Sequence, residues 1–542
     1  MVPGALSVTA LAVRARVAAG AGSGPPADPL SLDVLASGPI SRERVPVSWR
    51  DTEALKRLAE SKRAPLPRAL ADELAEMHRR LGASPASLAN LDRLARGEAV
   101  AAVAGQQPAP LGGPLYSLHK TASAVGLARE AERRGCGPCV PLFWMHGEDS
   151  DFAEIRSATL CDAELQLHDL QLPDSAHEDG VLVGSIPLEP VNALVKPALD
   201  VWQGLPGCAE AARVLQHASA RPRDLGEAMT ALWLALFRDQ GLVVVDPRLP
   251  AFRAAARQIL DRYLERADEL HAAGRRAGAR IEALAGRRAL TDAALDSFVF
   301  EIRDGHRRKL DAGEARARGA GVVLSPSVAL RPAVQDGVFP TVAMACGPGE
   351  LAYLMELKEV FAGVGVRAAA PALRLGATWL PPAAVELVEA AGGDAWEVVA
   401  HTDAVLARLA EAHVPGELQR ALAAARAALD QSMARLNEVS REFDSSLPQM
   451  IESARGKMDF QVSRLAEGVL GKARGRLDRE HPLWRRLRYV LQPGDKLQER
   501  RLASLDVVAR RGGDVVRLLC DLAAEHARAT AGGVHEHYLL EA

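Results

Sequence analysis

A chain of 542 residues with 48% hydrophobic and 25% charged side chains is long enough for roughly three domains and a large buried core. Its formal net charge of −3 excludes a general nucleic-acid binder, which needs clustered excess Lys and Arg to neutralise phosphates. Six scattered cysteines (Cys136, Cys139, Cys161, Cys208, Cys346 and Cys520) argue against a disulfide framework and for the reducing cytoplasm, and no apolar run reaches the length of a membrane span.

Residues 1–30 read as an N-terminal extension, a strand or disordered arm ending in a Gly/Pro-rich linker; Arg14 and Arg16 fall where a signal peptide needs its apolar core. Helical spacing of Leu55 and Leu58, then of Leu70, Leu74 and Met77, predicts packing helices over 51–63 and 67–81. Residues 99–104 are a short apolar run without helical periodicity, cut off by Gly105-Gln106-Gln107, and read as a buried strand. A loop holding Pro108, Pro110, Gly112 and Gly113 follows; Pro114 opens a helix that runs to Ala131 and stops at Gly135. Residues 141–145, with Phe143 and Trp144, read as a second strand ending in Gly147-Glu148-Asp149-Ser150-Asp151. Strand, crossover helix and strand of this length predict parallel pairing, with both loops at the carboxyl edge of one sheet, where α/β folds bind ligands.

The two loops are complementary in charge. Gly105, Gly112 and Gly113 let backbone N–H groups approach an anion at the positive end of the helix, where His119 and Lys120 add donors. Across from them Glu148, Asp149, Asp151 and Glu154 favour an ammonium group, a metal, or one carboxylate of raised pKa acting as base. On spacing alone a capping cluster stands level with this, because Asp149, Ser150 and Asp151 are good N-caps and Glu154 lies three residues beyond Asp151. Cys136-Gly-Pro-Cys139 has a redox spacing but precedes a strand rather than opening a helix after one, which weighs against a thioredoxin-like role.

Further along, 161–178 is polar and turn-rich, and 181–188 reads as a strand. An amphipathic helix over 224–238 feeds a strand at 242–245, where Asp246 is either a second acidic site residue or a strand-ending turn. Residues 250–284 read as one long helical stretch with a solvated charged face. Residues 298–302 before Asp304-Gly305 form one arm of a hairpin in a lobe inserted at about 250–320, and the basic edge His306, Arg307, Arg308, Lys309 reads as plain surface. Short strands at 322–324 and 341–345 bracket Arg331 and Gln335, one helical turn apart, with Asp336 beside them. The planar fork of Arg331 matches a carboxylate bidentately; the alternative is a buried Arg331–Asp336 pair bracing the loop. Gly347-Pro348-Gly349 is a tight turn, and Glu350 opens a helix that carries Tyr353.

From about 401 the character changes. Leu406, Leu409, Leu418, Leu422, Ala425, Leu429, Met433, Leu436 and Val439 recur mostly three or four apart and the rhythm continues through Met450, Met458, Leu465 and Leu470, predicting two antiparallel helices joined near 445–448. The exposed seam of such a coiled-coil hairpin is most simply buried against a second copy, a homodimer. In the last block Lys496 and Arg500 beyond a glycine turn suit a nucleotide phosphate. His535 and His537 share one strand face without a third ligand, so a docked terminal strand is the simpler reading than a metal site. The fold class is therefore α/β: a Rossmann-like parallel-sheet core over 31–400 with an inserted lobe, a long antiparallel coiled-coil hairpin over 401–480, and a segment 481–542 returning to the core.

Gly105-Gln106-Gln107, the run GGPLYSLHK over 112–120, PLFWMHGEDSDFAEI over 141–155, LSP, RP, VQD and GPGE within 324–350 with Tyr353, and LQPGDKLQER over 491–500 together resemble, in order, the signature of the cysteine ligase family of bacillithiol biosynthesis. The pattern departs at Ser150, where histidine is usual and to which His146 does not correspond, at Ser327 in place of asparagine, and at Pro493-Gly494, one of which is asparagine in the family. The resemblance implies a ligase that joins the carboxyl of cysteine to the amine of glucosaminyl malate, with the carboxyl activated by ATP or another nucleotide and no metal assigned. No GxxxxGK[ST] segment occurs, so a nucleotide would be held by helix N-termini and basic residues. The implied catalytic groups are Glu148, Asp149 and Asp151, holding the cysteine ammonium or deprotonating the attacking amine, with His119 and Lys120. Gly105, Gln106, Gln107, Gly112, Gly113, Tyr116 and Trp144 would bind substrate, and Arg331, Gln335, Asp336, Gly349, Glu350 and Tyr353 would orient the malate. Lys496, Gln498 and Arg500 would bind the nucleotide. Two other readings stand beside it: a non-catalytic coiled-coil dimer binding a nucleotide or thiol metabolite, and a related synthetase acting on another amino sugar.

Overall fold

The computed structural model describes residues 13–18, 25 and 28–541; the rest of the expected N-terminal extension lies outside the described residues. The chain divides into two units, one of 1–379 with 495–542 and one of 380–494.

The first unit is built on a five-stranded sheet. Its strands are β1 (Val100–Gln106), β2 (Cys139–Met145), β3 (Val243–Val245), β4 (Thr341–Cys346) and β5 (Ala370–Leu373), in the spatial order β5-β4-β1-β2-β3 and parallel throughout. β2 and β4 are buried along their whole length, and β1 up to its last residue, which is why they read as continuous apolar runs rather than alternating ones. Helix α1 (Leu115–Arg133) crosses from β1 to β2 and is buried on nearly every face, since a C-terminal helix covers its far side. The expected strand–helix–strand unit is therefore present, and Gly105 pairs with Trp144 in register. Chain order runs β1, β2, β3 to one side and then jumps to β4 and β5 on the other. The switch point lies between β1 and β4, where open α/β sheets bind ligands beyond their carboxyl ends.

Several expectations are corrected. Residues 181–188 are not a strand: Val183–Ser185 is a short 3₁₀ turn, and the Val183 and Gly184 amides donate to the carbonyls of Asp149 and Gly147, 2.8 and 3.0 Å away. Gly184 and Pro187 break the apolar run that suggested otherwise. The polar stretch from Cys161 holds one arm of a hairpin, Leu167–Gln171, paired antiparallel with Ser157–Cys161. The long helical stretch is two helices, Pro250–Glu265 and Ala267–Ala285, broken at Arg266. The strand Val323–Pro326 joins the lobe, where it pairs antiparallel with Val299–Arg303, itself paired with His306–Lys309. It is followed by helix α2 (Arg331–Val338), and β4 by helix α3 (Pro348–Glu356). The terminal strand Glu536–Glu541 does dock, but in a separate sheet with Val13–Ala18 and Gly376–Leu380.

The second unit contains the expected hairpin, α4 (Gly416–Ser440) and α5 (Leu447–Glu480), joined across 441–446. Arg426 pairs with Asp459 at 2.9 Å and Arg455 with Asp430 at 3.1 Å, which sets the antiparallel register. The preceding helix Ala395–Ala412 is distinct because Pro415 interrupts the rhythm. Returning to the first unit, helix α6 (Asp514–Ala531) packs on α1 so closely that a Cβ on Gly126 would lie 2.4 Å from the Ala523 carbonyl carbon. No helix among the described residues is long and apolar enough to cross a membrane.

Candidate active site

The carboxyl end of β2 with its loop, the inserted lobe, α2 and α3 line a cavity of about 310 Å³, walled by Trp144, His146, Glu148, Asp149, Arg307, Ser325, Arg331 and Tyr353. The acidic loop after β2 divides between both of its readings. Asp151 is exposed and caps Phe152–Ile155 by accepting the Glu154 amide at 3.1 Å, so it faces away from the cavity. Glu148 and Asp149 turn inward. Glu148 is buried, accepts from Arg253 Nε at 2.9 Å and from Ser325 Oγ at 2.8 Å, and burial pushes its carboxyl up against the pull of these two donors. Asp149 accepts from Gln107 Nε2 at 2.9 Å, from the Ser150 amide at 2.7 Å and from Arg307 Nη1 at 3.3 Å. Gln107 also donates to Glu154 at 2.6 Å, so the β1 and β2 loops do meet at one edge. Ser150 brings no titratable group to the loop.

The anion side is arranged differently from expectation. Gly112 and Gly113 pack against the C-terminal segment: their carbonyls accept from Ser504 Oγ and the Ser504 amide at 3.0 and 2.8 Å, the Gly113 amide donates to the Pro110 carbonyl at 3.0 Å, and the Leu115 amide at the start of α1 donates to Leu502. The C-terminal segment fills that helix end. His119 also points elsewhere, its Nδ1 2.9 Å from Glu499, which Arg374 holds at 2.5 and 2.9 Å. Burial keeps His119 below its ordinary pKa, whereas Glu499, despite burial, is held well below the usual carboxylate range by Arg374 and His119. Lys120 alone of the proposed donors after the glycine loop reaches the sheet edge. Its Nζ contacts Glu350 at 2.7 Å, the Gly105 carbonyl at 3.2 Å and Gln106 Oε1 at 3.1 Å, spanning the switch point from β1 to α3.

Arg331 opens α2 and enters the cavity wall at 8% exposure, donating to Gln335 Oε1 and to the Tyr353 hydroxyl, both at 3.0 Å. The alternative, a bracing Arg331–Asp336 pair, does not form. Asp336 instead accepts from Thr341 Oγ1 at 2.5 Å, the Ala369 amide at 2.6 Å and Gln335 at 3.0 Å, which ties α2 to the sheet and removes Asp336 from the substrate set. Among the described residues no carboxylate lies within 4.0 Å of Arg331. Burial pushes the Tyr353 hydroxyl up, so it stays a neutral partner. Trp144 forms part of the floor, edge-on to Phe252 at 5.1 Å.

Tyr116 is not part of this lining; its hydroxyl lies 3.2 Å from Gln106 Nε2, and burial pushes it up to about 12. Lys120 and Arg374 each lie 5.7 Å from its ring centroid, and exposed Arg500 is near enough to pull its pKa back down. Of the other two residues assigned to a nucleotide, Gln498 is bonded to the Trp379 backbone at 2.8 and 3.0 Å and is removed from that set, and Lys496 is exposed. Gly349 lies exposed on α3, where an added Cβ would meet nothing within 4 Å, and it is not among the residues that line the cavity. Asp246 is the strand-ending turn, bound to Arg248 at 2.7 Å. Cys136 and Cys139 are free, buried and pushed up by burial, the opposite of a redox pair. His537 meets Thr378 at 2.9 Å, and the described residues hold no group of three or more side chains placed for a metal.

Three cavity residues escaped the sequence reading. Arg307 is not plain surface: it stacks over Phe300 at 3.8 Å, donates to the Pro326 carbonyl at 3.0 Å and reaches Asp149. Strand alternation was the available signal, because Phe300 pairs with Lys309 and all three side chains line the cavity. Ser325 and His146 carried no such signal, since each depends on how the lobe and β1 meet the β2 loop.

Two descriptions match the chain: "Bacillithiol biosynthesis BshC, N-terminal Rossmann-like domain" over 46–320 and 314–375, and "Bacillithiol biosynthesis BshC, C-terminal coiled-coil domain" over 377–529. Proteins named "Putative cysteine ligase BshC" are similar along most of their length. That of Koribacter versatilis is 31% identical over 84% of this chain and 87% of its own. Those of Solibacter usitatus and Geobacillus kaustophilus are each 29% identical, over 80% and 86% of this chain and 84% and 89% of their own.

Proposed function

The chain belongs to the BshC family of bacillithiol biosynthesis, and from that premise we propose that it joins the carboxyl of cysteine to the amine of glucosaminyl malate, with the carboxyl activated by ATP or another nucleotide. One observation carries the reading. Arg331 is a buried guanidinium with only neutral partners, at a wall facing two carboxylates. A buried unpaired charge is costly, and a malate carboxylate supplies the missing partner in a bidentate geometry. Asp149, the more open of the two facing carboxylates, suits the ammonium group of cysteine. Around Tyr116, Lys120 and Arg374 are already paired with Glu350 and Glu499, which leaves exposed Arg500 as the cation offered to a nucleotide phosphate. The nucleotide, when bound, supplies a leaving group on the cysteine carboxyl. Purified protein incubated with cysteine, glucosaminyl malate and ATP should release a thiol product of the condensed mass; no product with any nucleoside triphosphate overturns the assignment.

The assembly we propose is a homodimer formed through the hairpin. Leu436, Val439, Phe443, Met450, Phe460 and Leu465 are exposed on α4, α5 and their connection, Phe443 at 87%, and such a seam is a poor surface to leave in water. Cytoplasmic residence fits the six free cysteines.

A further inference from the structure

His146 follows β2 directly, and its amide donates to the Gln106 carbonyl at 2.9 Å, continuing the sheet by one residue. Its ring lies against Gly105, where an added Cβ would come 2.7 Å from Nε2; only glycine at that position admits the imidazole. Nε2 is buried, and among the described residues neither ring nitrogen has a hydrogen-bond partner, although the ring lines the cavity. Buried polar atoms are rarely left unsatisfied, and one on a ring that lines a cavity can be completed by a ligand there. The charged and titratable groups around the ring come from every neighbouring element: Lys120 on α1, Arg331 on α2, Arg307 on the lobe hairpin, Tyr353 on α3, and Glu148 and Asp149 on its own loop.

We propose that His146 is the base of the ligation, accepting the proton of the substrate ammonium, and that it becomes competent only when a substrate carboxylate occupies Arg331. The proposal rests on the ligase reading above. The ammonium of glucosaminyl malate gives one proton to the imidazole; the freed lone pair on nitrogen attacks the cysteine carboxyl carbon and forms the C–N bond, and the second proton that this nitrogen loses in becoming an amide leaves with the departing activating group. The activating group on the cysteine carboxyl, donated by a nucleoside triphosphate, departs with its bonding pair, and the imidazolium returns its proton to solvent. Burial and then Arg331, Lys120 and Arg307 hold the imidazole well below its ordinary pKa. A carboxylate on Arg331 offsets the nearest of these cations and restores basicity, so proton transfer waits for the substrate.

Two measurements test this. In the ligation assay His146→Ala and His146→Gln are expected to lower kcat by about 100-fold or more with little change in KM, in line with the loss of general base catalysis, while circular dichroism confirms the fold. Added imidazole should restore turnover to His146→Ala, a rescue that a merely structural role would not give. Separately, the ¹⁵N resonances of His146 in wild-type protein, titrated with and without saturating malate, should show the pKa rise on binding. Wild-type turnover with unchanged variants, or a variant defect confined to KM, overturns the proposal while leaving the ligase reading intact. A wild type that forms no product removes the ligase reading instead, and the malate titration then decides: an imidazole pKa unmoved by malate overturns the coupling.

Discussion

Arg331 brings a full positive charge to the cavity wall with only an amide oxygen and a phenol hydroxyl beside it. A charge-assisted hydrogen-bond pair is worth about 1.5–3 kcal/mol, so we predict that Arg331→Gln weakens malate binding by roughly 10–100-fold. Calorimetry reads this directly; binding at wild-type strength would mean that another cation holds the carboxylate. Glu499 makes a different kind of prediction. Its carboxyl is buried between Arg374 and His119 and held well below its ordinary value of 4.5. A depressed folded-state pKa means that the stabilisation is complete above the unfolded value and is lost as pH falls through the folded one. Glu499→Gln should cost about 3–5 kcal/mol at neutral pH, because Arg374 is left buried and unpaired, and should flatten the acid limb of stability. Urea unfolding from neutral to acid pH measures both effects. Residue types were legible at these positions, but His119 and Lys120, adjacent in sequence, point to different partners, and nothing in their order says which of them faces the cavity.

Among the elements, the β1–α1–β2 unit was readable because each segment carries its own signal: unbroken burial in the strands, helical spacing between them, and glycine or proline at the joints. The packing of α6 on α1 was not, since the two helices are nearly 400 residues apart and meet through a glycine that reads as a weak helix former. At Gly126 a methyl group would collide with the backbone at Ala523, so Gly126→Ala is expected to destabilise by about 1–3 kcal/mol, seen as a lowered Tm with the hairpin helices unaffected. The glycine loop shows the same limitation. The helix end read there as open to an anion gives its first amide to Leu502, and Ser504 binds the glycine carbonyls beside it.

For the molecule as a whole, the proposed assembly is tested at the hairpin. The predicted dimer should sediment at twice the chain mass of 57.7 kDa, and Phe443→Glu combined with Leu465→Glu should shift it to monomer while the circular dichroism of the helices is retained. A monomeric wild type would sink the dimer and leave the seam unexplained. The order of amino acids alone determined the α/β core, the hairpin and the family, because hydrophobic period, turn residues and contiguous motifs are local properties that survive without knowledge of the fold. Only the tertiary structure decided which polar groups face the cavity. Arg307 enters it across a lobe, Arg331 escapes Asp336 because Thr341 and Ala369 satisfy that carboxylate first, and His146 turns over Gly105 from the neighbouring strand. Each of those outcomes is a competition for hydrogen bonds and space among residues far apart in the chain, and such competition is settled only when they meet.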